Sequence, residues 1–179
     1  LTMDFRFKPL VAVLLAIAVP VFAQQQATAP AAQAAAPAAK AFSQQELDEL
    51  LAPIALYPDA LLAQVLMAST YPLEVVEAAR WVKANPGLKD KALEDALQKQ
   101  DWDPAVKSLV VLPQVLAMMN EKLDWTQKLG DAFLAQQKDV LATAQALRTK
   151  AKAEGNLKDS KEQKVVTATE NNTTVIKIE

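Results

Sequence analysis

The 179-residue sequence contains neither cysteine nor histidine. The chain therefore has no thiol nucleophile, no disulfide, no imidazole base and no thiolate or imidazole ligand for zinc or haem. Only three glycines occur, Gly87, Gly130 and Gly155, so no glycine-rich loop is available to bind phosphate. From these absences we predict no catalytic residue, no metal site and no cofactor.

Neither sign of charge predominates in the sequence. Lys and Arg number 19, Asp and Glu number 21, and the formal net charge is −2. A nucleic-acid-binding protein needs a clustered basic face that displaces counterions from phosphates. No nucleic-acid partner is therefore expected.

Residues 1–23 have the pattern of a signal peptide. Arg6 and Lys8 precede an apolar run from Leu10 to Ala23. The run is shorter than the roughly 20 residues of a membrane-spanning helix, and it fits the roughly 7–15 residues of a signal-peptide apolar region. We predict cleavage after Ala23 and a periplasmic or otherwise exported protein. The alternative is an uncleaved chain, anchored in the inner membrane by residues 10–23 and held close to it.

Residues 24–42 are rich in alanine and glutamine and are interrupted by Pro30 and Pro37. The segment holds almost no large apolar side chain whose burial would offset the entropy lost on ordering. We predict a disordered spacer.

From residue 43 to residue 155, apolar side chains recur with the period of an α-helix. Ser43 and Glu46 have the spacing of a capping box, and four prolines stand at the starts of apolar runs, where a missing N–H is tolerated. The predicted helices cover 43–52, 58–69, 72–84, 88–100, 104–111, 113–123 and 126–153. The sequence thus predicts a mainly α protein: a bundle of short, proline-started helices that ends in one long helix before Gly155.

Residues 156–179 begin as a polar linker and then change to a period of two. Two β-branched runs flank Asn171-Asn172, which is typical of a β-hairpin. The expected register pairs Val165 with Ile178 and Thr167 with Ile176. Because an isolated hairpin is marginally stable in water, we expect it either to pack on the long helix or to offer its edge to a partner or to a further part of the chain.

Several short motifs resemble a bacterial family of unknown function, DUF3300, over about residues 43–179. They are Leu50–Asp59, Leu61–Leu66, Ser69–Pro72, Ala79–Trp81, Trp102–Pro104, Leu123–Thr126, Leu129–Phe133 and Gln136-Gln137. The resemblance implies an exported bacterial envelope protein. It brings with it no activity and no functional residue.

Candidate interaction residues are the large aromatic and β-branched side chains of the helical region and the hairpin. They are Trp81, Trp102, Trp125, Val175, Ile176 and Ile178. Tryptophans anchor many interfaces, but a helical domain with few aromatics also needs them in its core. Both interpretations of the three tryptophans stay open at this point.

The carboxylates have structural interpretations as well. Glu74 and Glu77 lie three residues apart on a helix that also carries Arg80, which favours a solvated, ion-paired face. Asp101 and Asp103 flank Trp102, and Asp103 is suited to capping the helix that begins at Pro104.

Two functions follow from these observations. The first is a non-enzymatic exported envelope protein, a helical interaction or structural module whose partner is another envelope protein or the cell wall. The second is a peptidoglycan hydrolase or accessory protein that uses a lone carboxylate, since such an enzyme needs no histidine. Lysozyme-like helical domains typically present the acid in a Glu-Ser step, and the sequence contains none.

Overall fold

A computed structural model describes residues 42–161, 163–170 and 173–179. The predicted signal peptide (1–23) lies outside the described residues, and so does the Asn171-Asn172 turn. Of the predicted spacer, only Phe42 is described.

Eight helices and two strands make up the described residues, which confirms the mainly α class with a small C-terminal sheet. The helices are α1 (Gln44–Leu51), α2 (Asp59–Ala68), α3 (Pro72–Ala84), α4 (Asp90–Leu97), α5 (Pro104–Leu109), α6 (Pro113–Glu121), α7 (Leu123–Ala135) and α8 (Gln137–Ala153); the strands are β1 (Val165–Glu170) and β2 (Thr173–Ile178). No helix in these ranges is both long enough and apolar enough to cross a membrane.

The helix starts follow the local chemistry of the sequence. Ser43 and Glu46 form the predicted capping box, each bonding the other's backbone amide. Proline occupies the first turn of α3, α5 and α6. The Asp103 side chain accepts a hydrogen bond from the Ala105 amide at 2.8 Å, which confirms Asp103 as the cap of α5.

The last helix is the longest, with 17 residues, but it begins at Gln137 rather than at residue 126. The backbone leaves the helical conformation at Gln136, where φ is −141° and ψ is 46°. The Gln136 side chain accepts from the Phe42 amide at 2.6 Å and donates to the Phe42 carbonyl at 3.2 Å. This pairing fixes the chain just before α1 and ends α7, so the predicted continuous helix is two helices.

One large apolar core joins α1, α2, α3, α5, α6, α7 and α8. Within this core, α7 approaches the backbone of a neighbouring turn closely at Gly130. A Cβ built there would lie 2.3 Å from the Ser69 carbonyl oxygen, in the turn between α2 and α3. Only glycine lets α7 pack this closely against that turn.

The hairpin has the predicted antiparallel register, with Val165 opposite Ile178 and Thr167 opposite Ile176. Within the hairpin the Glu170 carboxylate lies 2.5 Å from the Lys177 ammonium. The hydrogen bond and the charge of Glu170 raise the pKa of Lys177.

The hairpin packs on the helices, which was one of the two expected outcomes. Ile176 and Ile178 are buried with Leu157 in a second small apolar cluster. The Gln145 side chain on α8 bonds both backbone groups of Ile176, accepting from its amide at 2.9 Å and donating to its carbonyl at 3.2 Å. The Ile178 amide donates to Asp59 Oδ1 at 3.4 Å, at the start of α2.

Candidate functional site

A groove of about 680 Å³ lies between the start of α3 and the loop that joins α4 to α5. Its lining comes from two short stretches of sequence and combines apolar with charged groups: Thr70, Tyr71, Pro72, Leu73, Glu74, Glu77, Lys99, Gln100, Asp101 and Trp102. The structure thus brings together the two glutamates of α3 and the Asp101–Asp103 segment, which the sequence analysis treated separately, and adds Tyr71.

Trp102 forms part of the groove lining. Only 8% of it is exposed, and its ring meets that of Trp81 edge to face, with centroids 6.0 Å apart and planes at 82°. Its indole Nε1 donates to Glu77 Oε2 at 3.1 Å. Trp102 therefore fixes the α4–α5 loop on α3, and little of its surface is open to a ligand in the groove.

Glu74 holds the same loop one residue further along. Its Oε2 accepts a hydrogen bond from the Asp103 amide at 2.6 Å, and Asp103 in turn caps α5. No ion pair joins Glu74 or Glu77 to Arg80 within the described residues, so the predicted ion-paired face is wrong. The two carboxylates instead accept hydrogen bonds from donors of the α4–α5 loop. These donors therefore have partners within the protein.

The rim of the groove is exposed and apolar on one side. Tyr71 is 41% exposed and Leu73 is 75% exposed. Lys99 and Asp101, both exposed, stand on the opposite rim. With Glu74 and Glu77 the groove carries an excess of negative charge, so it suits a ligand that has a basic group beside an apolar one.

The other candidate interaction residues lie away from this groove. Trp125 is half-buried at the start of α7, and its Nε1 donates to the Leu50 carbonyl at 2.9 Å. Ile176 and Ile178 belong to the hairpin's buried cluster, and Val175 is half-buried. The structure therefore assigns packing roles to Trp102, Ile176 and Ile178, because their side chains are buried, and leaves Val175, Trp81 and Trp125 partly accessible.

Sequence reasoning missed Leu73 and Arg148. The exposure of Leu73 could have been predicted from the helical period. Val75, Ala78 and Ala79 form the buried face of α3, and a residue two positions before Val75 lies on a different side of the helix. Arg148 gave no signal, since its buried contacts are carbonyls distant in sequence. Within the described residues no group of three or more Asp or Glu side chains is placed to hold a metal ion.

Comparison with known proteins places the chain in a family. The model of a family described as "Protein of unknown function (DUF3300)" matches residues 43–179, so the chain belongs to that family. Among its relatives is the "Uncharacterized protein YacH" of Escherichia coli (strain K12), which is 54% identical over 129 residues, or 72% of this chain. The matched region covers 21% of YacH, so the match spans about a fifth of that relative's length. No solved structure shows significant similarity to the chain.

Proposed function

We propose that the protein is a non-enzymatic component of the bacterial envelope, exported by its N-terminal segment, and that its helical domain binds another envelope component through the groove between α3 and the α4–α5 loop. The observation that carries the proposal is the exposed apolar pair Tyr71 and Leu73 beside the carboxylates of α3. Exposed apolar groups next to fixed polar ones are a common arrangement at interfaces.

The carboxylates support a binding role rather than an acid–base role. Glu74 Oε2 and Glu77 Oε2 accept hydrogen bonds from Asp103 and Trp102, respectively, and those bonds hold the wall of the groove. A general acid in a hydrolase must instead direct its proton at the substrate.

The charge and shape of the groove favour a segment of another protein over a neutral glycan. A lysine or arginine of the partner would lie near Glu74 and Asp101, while an apolar side chain beside it would cover Leu73. Such a mixed contact resembles the small apolar centre and charged rim of transient interfaces.

Export is supported by the sequence alone. Two basic residues, a short apolar run and the small residue Ala23 before a glutamine tract are typical of a cleaved signal peptide. Intact-mass measurement of the protein from its native host tests this part. We expect a chain that begins at Gln24 in the periplasmic fraction, and a mass that retains residues 3–23 would contradict it.

The choice between binding and hydrolysis is tested with purified protein and isolated peptidoglycan. We expect no release of soluble muropeptides above the background of a mock purification. If muropeptides were released, and Glu74→Gln or Glu77→Gln abolished the release with unchanged thermal unfolding, the hydrolase would replace the binding module.

A further inference from the structure

The two outer edges of the hairpin differ in how well they are covered. The Lys164 and Glu179 backbones bond each other in both directions, at 2.8 and 2.9 Å. Bonded and non-bonded pairs alternate along an antiparallel ladder, so the pairs Thr167–Ile176 and Thr169–Thr174 are non-bonded. The backbone groups of these four residues therefore point away from the other strand of the hairpin.

The helices cover the outer edge of β2. Gln145 bonds both backbone groups of Ile176, Arg148 donates to the same carbonyl at 2.8 Å, and Asp59 accepts from the Ile178 amide. On the outer edge of β1 one backbone group has such a contact, from the Val165 amide to Asp159 Oδ1 at 2.7 Å. Lys152 on α8 donates to the Thr167 hydroxyl and not to its backbone. Thr167 and Thr169 are exposed, and among the described residues no hydrogen bond covers their outward backbone groups. An edge of this kind pairs readily with another strand.

We propose that β1 pairs antiparallel with β1 of a second copy of this chain, about a twofold axis at Thr167. In this register the outward groups of Thr167 face the same groups of the second copy, and Thr169 of each copy donates to the Val165 carbonyl of the other. Because such a pair exchanges both backbone bonds, the Val165 amide gives up Asp159 and donates to the Thr169 carbonyl of the second copy.

Charge complementarity selects this register and a second copy as the occupant. Pairing Thr167 with itself places Lys164 of each chain opposite Glu170 of the other, at both ends of the ladder. Glu170 then lies between that Lys164 and Lys177 of its own hairpin. Opposite charges on directly facing residues stabilise antiparallel pairs, and like charges destabilise them.

The pairing is expected to be reversible and concentration-dependent, because two six-residue strands bury much less surface than the roughly 1,200–2,000 Å² of a stable interface. This inference is independent of the proposed groove, which lies on α3 and the α4–α5 loop.

Sedimentation velocity of the purified full-length protein over a range of concentrations tests the proposal, with two matched proline variants. Thr169 and Thr174 face each other in the hairpin, but their amides point to opposite edges. Thr169→Pro removes one outward donor of β1 from each copy, and we expect it to weaken dimerisation about tenfold or more through the lost ladder bonds. Thr174→Pro, the control, should leave the dimerisation constant unchanged.

A charge exchange keeps the test independent of folding. The K164E chain places like charges at both ends of its own dimer, and so does the E170K chain, so each alone should associate more weakly than the unmodified protein. A mixture of the two restores opposite charges at both ends, so the mixed dimer should recover. A monomer at every concentration, equal effects of the two proline variants, or no recovery in the mixture would overturn the proposal. So would amide protection at Thr167 and Thr169 that appears only with a strand of another protein.

Discussion

Arg148 Nη1 lies 2.5 Å from Asp59 Oδ1, with the Arg148 side chain 1% exposed. The same guanidinium donates to the carbonyls of Ala55 at 2.8 Å, Tyr57 at 3.0 Å and Ile176 at 2.8 Å. A single side chain on α8 therefore holds the loop between α1 and α2, the start of α2 and the second strand of the hairpin. A buried charge is tolerated here because every contact is a hydrogen bond to an acceptor.

Arg148→Met should lower the free energy of unfolding by about 2–5 kcal/mol, because it removes several charge-assisted hydrogen bonds, each of a kind worth about 1.5–3 kcal/mol. The loss arises because the carbonyls of Ala55 and Tyr57 lose their side-chain donor, the Ile176 carbonyl keeps only Gln145, and Asp59 loses its counter-charge. Chemical denaturation measures it. Arg80→Met, at an exposed position on α3, is the control and should change the value by less than about 0.5 kcal/mol. Similar effects of the two substitutions would show that the Arg148 contacts contribute little.

Gly130→Ala should destabilise the protein by about 1–3 kcal/mol, the typical cost of overpacking. The new Cβ would meet the Ser69 carbonyl, which belongs to the backbone and cannot rotate away. Gly87→Ala is the matched control, since a Cβ at Gly87 has no atom within 4 Å. Thermal unfolding of both variants checks the prediction, and an unchanged midpoint for Gly130→Ala would mean that α7 does not pack this closely on the turn.

Glu74→Ala should loosen the α4–α5 loop. The Asp103 amide loses a charged acceptor, a bond of a kind worth about 1.5–3 kcal/mol. Hydrogen exchange of the Asp103 amide should become about tenfold faster or more. Glu94→Ala, on the exposed side of α4, should leave that amide unchanged. Equal exchange in the two variants would remove the argument that Glu74 is occupied in holding the groove wall.

Ile178→Ala should lower the free energy of unfolding by about 2–5 kcal/mol if the hairpin is part of the folded domain. The reason is that the Ile178 side chain is buried against Leu157. Val166→Ala, at a half-buried position on the other face of the hairpin, should cost much less. Denaturation followed by tryptophan fluorescence reports on the helical domain. If that signal did not respond to Ile178→Ala, the hairpin would unfold separately from the helices.

The sequence predicted those features that depend on neighbouring residues. The capping box at Ser43, the cap at Asp103 and the hairpin register each follow from side chains within a few positions of one another or from a strict period of two. The helix that was predicted over 126–153 failed for the opposite reason. It is interrupted at Gln136 by a bond to Phe42, 94 positions away in sequence, and no local pattern encodes that contact.

The same distinction explains what was missed at the candidate site. Glu74 and Glu77 have a spacing that suits an ion-paired helix face, and only the fold shows that the Asp103 amide and the Trp102 indole are their donors. In the sequence, Arg148 is indistinguishable from any arginine near a helix end. Only the fold places Ala55 and Asp59 within hydrogen-bonding distance of it. The groove could not be predicted from the sequence, because its two walls, α3 and the α4–α5 loop, are brought together only by tertiary packing.

Photo-crosslinking in living cells tests the central claim, that the groove beside α3 binds an envelope component. A photo-crosslinking amino acid replaces Leu73 at the rim or, as the matched control, Leu134 on α7, which is 72% exposed and far from the groove in sequence. We expect a discrete crosslinked product at position 73 and none at position 134. Asp101→Lys should reduce that product, whereas Asp131→Lys, at an exposed position on α7, should not. Equal crosslinking at the two positions, or a product at position 73 that is unaffected by Asp101→Lys, would contradict the account.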